Sequence, residues 1–194
     1  MKQETNFGYI LRLTFTLLVI CAVVAAALAG VNAITKERIA AAKAEKTQKA
    51  IQAVLPGVDS VKEVPFTDAT GLVTKVYKSD MSLSSDSDSA FGYAVEVTPA
   101  GFGGTITMMV GVGADGKVLG ISIISHSETP GLGAVSAAST NKGISFREQF
   151  KGLIAGISIG DGENQIDSLS SATITSKAIV DGVNAALECI KNMG

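Results

Sequence analysis

Residues 13–35, "LTFTLLVICAVVAAALAGVNAIT", form 23 consecutive positions without a charge. Wound as a helix rising about 1.5 Å per residue, this run spans the roughly 30 Å hydrocarbon core of a bilayer. A cleaved signal peptide competes with that reading. Lys2 and Arg12 supply a positive leading segment, and "ALA" at 27–29 or "VNA" at 31–33 would pass as a cleavage site. The run outlasts the usual signal core of about 7–15 residues and continues without a breaker, which favours a retained transmembrane helix. Residues 36–55 are rich in Ala, Lys, Glu and Gln, strong helix formers. Their apolar anchors are Ile39, Ile51, Val54 and Leu55, so the pattern predicts a solvated stalk helix that docks at its far end and stops at Pro56-Gly57. The expected organisation is a short N-terminal segment at 1–12, a transmembrane helix at 13–35, a stalk helix at 36–57 and a domain at 58–194.

Within the domain the period changes. Segments 58–64 and 71–78 read as short strands, and 79–90 as a Ser/Asp-rich loop. "DSD" at 86–88 alternates two carboxylates, but the central Gly and terminal Glu of an EF-hand loop are missing. Residues 91–125 are the clearest β region. Ile106, Met108, Val110 and Val112 alternate along one face, and Asp115-Gly116 marks a hairpin before "KVLGISIIS". An aperiodic loop is expected at 126–140, a short helix over "ISFREQFKGL" with Phe146, Phe150 and Leu153 on one face, then a strand over "LIAGISIG". A final helix, from about 175 to 191, buries Ile179, Val180, Val183, Ala186, Leu187 and Ile190. Strands followed by helices give an α+β fold: a mainly antiparallel sheet with flanking helices, preceded by the transmembrane and stalk helices.

Charge and cofactor ligands narrow the chemistry. A net charge of −2 offers no basic surface for nucleic acid. The two cysteines are Cys21, inside the apolar run, and Cys189, so no disulfide forms within the domain and no thiolate set holds an iron–sulfur cluster. His126 is the sole histidine, which argues against a zinc site, and no metal ligands are assigned. Redox chemistry here requires an organic cofactor. Orientation is two-sided: Lys36, Arg38, Lys43, Lys46 and Lys49 outnumber Lys2 and Arg12 and place the domain in the cytoplasm, yet large domains translocate with less regard for flanking charge.

Three clusters carry candidate chemistry. "SLSSATITSKAIV" at 168–180 crowds six hydroxyl residues into nine positions before the last helix. Thr173 or Thr175 would serve as N-cap, and a helix N-terminus also attracts anions such as phosphate. "HSETPGLG" at 126–133 combines a type II turn at Pro130-Gly131 with polar Glu128 and Thr129, and reads as a polar loop or as a wall for a flat ligand. "GFGG" at 101–104 is a bend or a close-approach wall with Phe102 as a stacking surface.

Asp167, Ser170, Ala172 and Thr173, at the spacing Asp-x-x-Ser-x-Ala-Thr, resemble the flavinylation motif of FMN-binding domains. With "GFGG", "ETPGLG" and "FREQFKG" in the expected order, the chain is similar to the G subunits of Rnf ion-translocating electron-transport complexes. It is also similar to the C subunits of sodium-pumping NADH:quinone reductases. The resemblance implies FMN held covalently by a phosphodiester to Thr173, and contacts near the flavin from Glu128, Thr129, Gly131, Leu132, Ser170, Ala172 and Thr175. It implies a separate flavin transferase that delivers FMN from FAD with Mg²⁺, with Asp167 serving recognition by that enzyme. It further implies an electron carrier, not catalytic alone, on the extracytoplasmic face with its N-terminus in the cytoplasm. Ion movement would belong to other membrane subunits, since a span without an ionisable residue offers no pathway. One residue departs from the motif: Ser171 stands where the family usually has Gly. Two rivals stay open, a flavinylated domain serving another extracytoplasmic reductase and an anchored β-rich binding module with no redox role.

Overall fold

A computed structural model describes residues 7–58, 60–79 and 92–193. The expected loop with its "DSD", from 80 onward, lies outside the described residues. Two compact units divide the chain, one up to Glu45 and one from Lys46.

The expected transmembrane and stalk segments form one continuous helix, α1 (Phe7–Val54, 48 residues). Nothing between 35 and 36 breaks it, because the Ala/Lys/Glu-rich segment has high helix propensity of its own. In the first unit the Thr14, Thr16 and Thr35 hydroxyls donate to the carbonyls of Ile10, Arg12 and Val31. The hydroxyls thereby find partners within the helix, as an apolar surrounding requires. Ile39 is exposed and anchors nothing, contrary to the sequence expectation.

The second unit is built on five antiparallel strands in chain order: β1 (Val61–Val64), β2 (Val73–Ser79), β3 (Gly92–Val97), β4 (Thr107–Gly113) and β5 (Val118–Ser125). The alternation along β4 sends Met108, Val110 and Val112 to one face, where Ile106 joins them against the last helix, α3 (Thr173–Met193). Met109 and Ala94 face the other way and meet Ala50, Ile51, Val54 and Leu55 at the end of α1. Gly111 permits this second contact, since a Cβ there would lie 2.6 Å from the Val54 carbonyl oxygen. With both faces covered, β4 reads as an almost continuous apolar run. Each buried Val, Ile or Met contributes about 1.5–3 kcal/mol relative to exposure. Four residues, 114–117, connect β4 to β5, and the turn is closed by the Gly113 N–H to the Lys117 carbonyl at 2.8 Å with Gly116 at φ +74°.

Elsewhere side chains take over work expected of regular elements. "LIAGISIG" yields only β6 (Ser158–Ile159), parallel to β7 (Gln165–Ile166). The backbone around it is bonded by asparagines instead. Asn184 Oδ1 accepts from Gly156 and Ile157 N–H at 3.0 and 2.9 Å, and its Nδ2 donates to the Ile157 carbonyl. Asn164 does the same for Ile154. The short helix α2 (Asn141–Glu148) starts earlier than expected because Thr140 caps it, accepting from the Gly143 N–H at 3.3 Å. Phe146 and Phe150 meet edge to face at 5.6 Å in the core. The aperiodic loop contains a 3-10 turn at Gly133–Ala137.

Candidate functional site

The last helix begins at Thr173, two residues before the sequence expectation, so neither threonine is its cap. Ala172 holds that place: its carbonyl accepts the Ser176 N–H at 2.9 Å, and it has no side-chain acceptor to offer the amides beyond it. Among the described residues nothing accepts from the N–H of Thr173 or Ile174, and the first turn carries no acid. The helix therefore presents unpaired donors and the positive end of its dipole.

The six hydroxyls now separate by role. Thr175 is buried and donates to Glu128 Oε2 at 2.5 Å. Ser176, also buried, accepts from the Leu169 N–H at 2.9 Å and donates to the Ala172 carbonyl. Ser171 is exposed at φ +61°, a left-handed conformation that glycine adopts freely. Ser168 and Ser170 line a groove beside α2. Thr173 alone is both exposed and on the first helical turn beside a cavity.

That cavity, of about 380 Å³, is lined by Phe102, Glu128, Thr129, Leu132, Thr173 and Ile174 among others. Phe102, Leu132 and Ile174 are three of the five large apolar side chains beyond Ile39 that the described residues leave exposed. Glu128 joins the walls. Its Oε1 accepts the Gly103 N–H at 2.9 Å, so the "GFGG" loop, the "ETPGLG" loop and α3 meet on one carboxylate. Glycine is required around it, because a Cβ at Gly101 or Gly133 would come within 2.3 Å of a Glu128 oxygen. Pro130-Gly131 forms the expected turn, with Gly131 at φ +79° and the Leu132 N–H to the Thr129 carbonyl at 3.2 Å.

Of the eight residues singled out by sequence, the cavity gathers Thr173, Glu128, Thr129, Leu132, Ala172 and Thr175. Gly131 and Ser170 lie across Leu132 in the neighbouring groove, with Asp167, Lys142 and Gln149. Sequence reasoning missed what braces them. Arg147 Nη1 donates to the carbonyls of Ser136 and Ala138 at 2.5 and 3.1 Å, fixing the 3-10 turn after "ETPGLG". Burial lowers its pKa from the usual guanidinium value. Gln149 Oε1 accepts the Asp167 N–H at 2.8 Å and so fixes the start of the hydroxyl-rich segment. Ile174 was also missed; its signal was an apolar residue lying off the buried stripe of its helix.

Comparison with known proteins bears on this arrangement. A family model described as the FMN-binding domain matches residues 101–188, and one described as the RnfG N-terminal region matches residues 1–54. The G subunit of the Na⁺-translocating ferredoxin:NAD⁺ oxidoreductase complex of Acetobacterium woodii is 30% identical, covering 99% of this chain and 97% of that protein. The chain belongs to the RnfG family. The G subunit of the ion-translocating oxidoreductase complex of Methanosarcina acetivorans is 32% identical over 93% of this chain and 94% of its own. A solved structure, the C subunit of the Na⁺-translocating NADH-quinone reductase of Parabacteroides distasonis, aligns at a TM-score of 0.46 and 23% identity, covering 60% of this chain and 61% of that one. In this RnfG-family chain the N-terminal match ends with α1, and the FMN-binding match contains every wall of the cavity.

Proposed function

We propose that this protein is a membrane-anchored electron carrier that holds FMN on Thr173 through a phosphodiester and works within an Rnf-type complex coupled to Na⁺ or H⁺ movement. The observation that carries the reading is the meeting of one free hydroxyl, Thr173, with exposed Phe102, Leu132 and Ile174 around one cavity. The residues present fit the group. Unpaired amides and the dipole of α3 suit a phosphate ester, and the apolar side chains suit a flat ring. Lys177 stands one turn along from Thr173 on the same face, exposed and with no ion pair among the described residues. When bound, FMN supplies one- and two-electron transfer. The chain's own residues bind and orient it: Thr173 tethers, Leu132 and Phe102 flank the ring, and Glu128 holds the walls together.

Among the described residues no hydrogen bond joins the Thr173 hydroxyl to a base, and the nearby Glu128 carboxylate is taken up by Thr175 and Gly103, which fits attachment by a separate flavin transferase that consumes FAD. In this reading residues 13–35 cross the membrane, 36–57 form the stalk, and 58–194 form an extracytoplasmic FMN domain with residues 1–12 in the cytoplasm. Family membership favours Rnf partners over an independent reductase. The test is co-expression with a flavin transferase, followed by denaturing electrophoresis. Fluorescence should migrate with the polypeptide and vanish in Thr173→Ala; a dark wild-type band sinks the proposal.

A further inference from the structure

Among the described residues lining the cavity, Glu128 is the only ionisable one. It is 5% exposed, and no cation pairs with it among the described residues. Both hydrogen bonds of its carboxylate are donated to it, one by the Gly103 N–H and one by the Thr175 hydroxyl, as an ionised carboxylate requires. Two neutral dipoles offset the charge only in part. Glycines at 101 and 133 make room for it, so the surrounding backbone is shaped around this carboxylate.

We infer that Glu128 is a fixed negative charge built into the cavity wall, a positioning residue that lowers the reduction potential of the ring bound there. The inference rests on the function proposed above. Each electron delivered by an external one-electron reductant brings one negative charge into the cavity, and one proton from water cancels it. Glu128, itself buried in the cavity wall, opposes the uncancelled charge. It thereby disfavours reduction and favours uptake of the proton with the electron.

The test is a dithionite redox titration of the full-length protein after maturation by a flavin transferase, comparing wild type, Glu128→Gln and Thr175→Ala. Glutamine keeps the shape, can accept from Gly103 and, with the second bond reversed, donate to the Thr175 oxygen, and it removes the charge. The potential should rise by the equivalent of at least tenfold in electron affinity, about 59 mV for a one-electron couple. Thr175→Ala keeps the charge but removes one of the two donors that offset it, so the potential should fall. A brace without electrostatic influence would move both variants alike or neither, and either result overturns the inference. If Glu128→Gln does not fold, Thr175→Ala decides alone: a lowered potential supports the assignment, an unchanged or raised one overturns it. Covalent fluorescence is read first. Its absence from the wild type defeats the proposed function itself, whereas its presence without these shifts defeats only the role of Glu128.

Discussion

Thr173 and Thr175 stand two residues apart on the first turn of α3 and are used in opposite ways. Thr175 is buried and bonded to Glu128 at 2.5 Å, while Thr173 is exposed at the cavity. Thr173→Ala should abolish covalent flavin and change unfolding free energy by no more than about 0.5 kcal/mol. Thr175→Ala should cost about 1–3 kcal/mol, because a buried carboxylate oxygen loses its donor, yet still carry flavin. Urea unfolding and in-gel fluorescence read the two effects separately. The reverse pattern would move the attachment site.

Ser171 occupies a left-handed conformation at φ +61°. For a residue with a Cβ that conformation costs roughly 1–2 kcal/mol. Ser171→Gly should therefore stabilise the protein by about 0.5–1 kcal/mol with flavinylation intact, and Ser171→Val should destabilise it. A destabilised glycine variant would show that the serine hydroxyl has a role of its own.

Asn184 supplies three hydrogen bonds to residues 156 and 157. Replacing it with Ala leaves partly buried backbone groups without partners, at an expected cost of about 2–3 kcal/mol. Amide exchange should quicken first at Ile157 and leave β3 and β4 protected.

Burial alone would raise the Asp68 carboxyl, but hydrogen bonds from Thr70, Val73 and Gly71 together draw it below the ordinary value of 3.8. A carboxyl more acidic in the folded state than in the unfolded one stabilises fully above the unfolded pKa, about 3.9, and less as pH falls through the folded value. The stability gap between wild type and Asp68→Asn should therefore be constant near neutral pH and shrink below about pH 4. A gap independent of pH would remove the carboxylate from the turn.

Cys189 is 2% exposed, and burial chiefly, with Asp68 second, pushes its thiol above the ordinary value. In a Cys21→Ser background a thiol reagent should label it only at the rate of opening, since the reactive form is the thiolate. Rapid labelling under native conditions would contradict the packing of α3.

The fold was legible where burial repeats with a fixed period. Met108, Val110 and Val112 showed β4, and Ile179, Val183 and Leu187 showed α3. It was not legible where one side chain replaces a ladder: Asn184 and Asn164 hold a segment whose apolar pattern suggested a strand. At the site, residues 168–176 and 126–133 were visible as clusters, and resemblance joined them. Their division of labour was not visible, because Thr175 meets Glu128 across 47 positions and no local pattern reports such a contact. Arg147 and Gln149 escaped for the same reason. Each acts through bonds to distant backbone.

The close approach at Gly111 decides where the anchor can be cut away. Ala50, Ile51, Val54 and Leu55 form part of the domain's own interior, on the sheet face opposite α3. A soluble fragment starting at Val58 would strip that face and leave Ala94 and Met109 open to solvent and to other copies. Starting at Lys46, where the second unit begins, keeps the face clothed and discards only the helix before it.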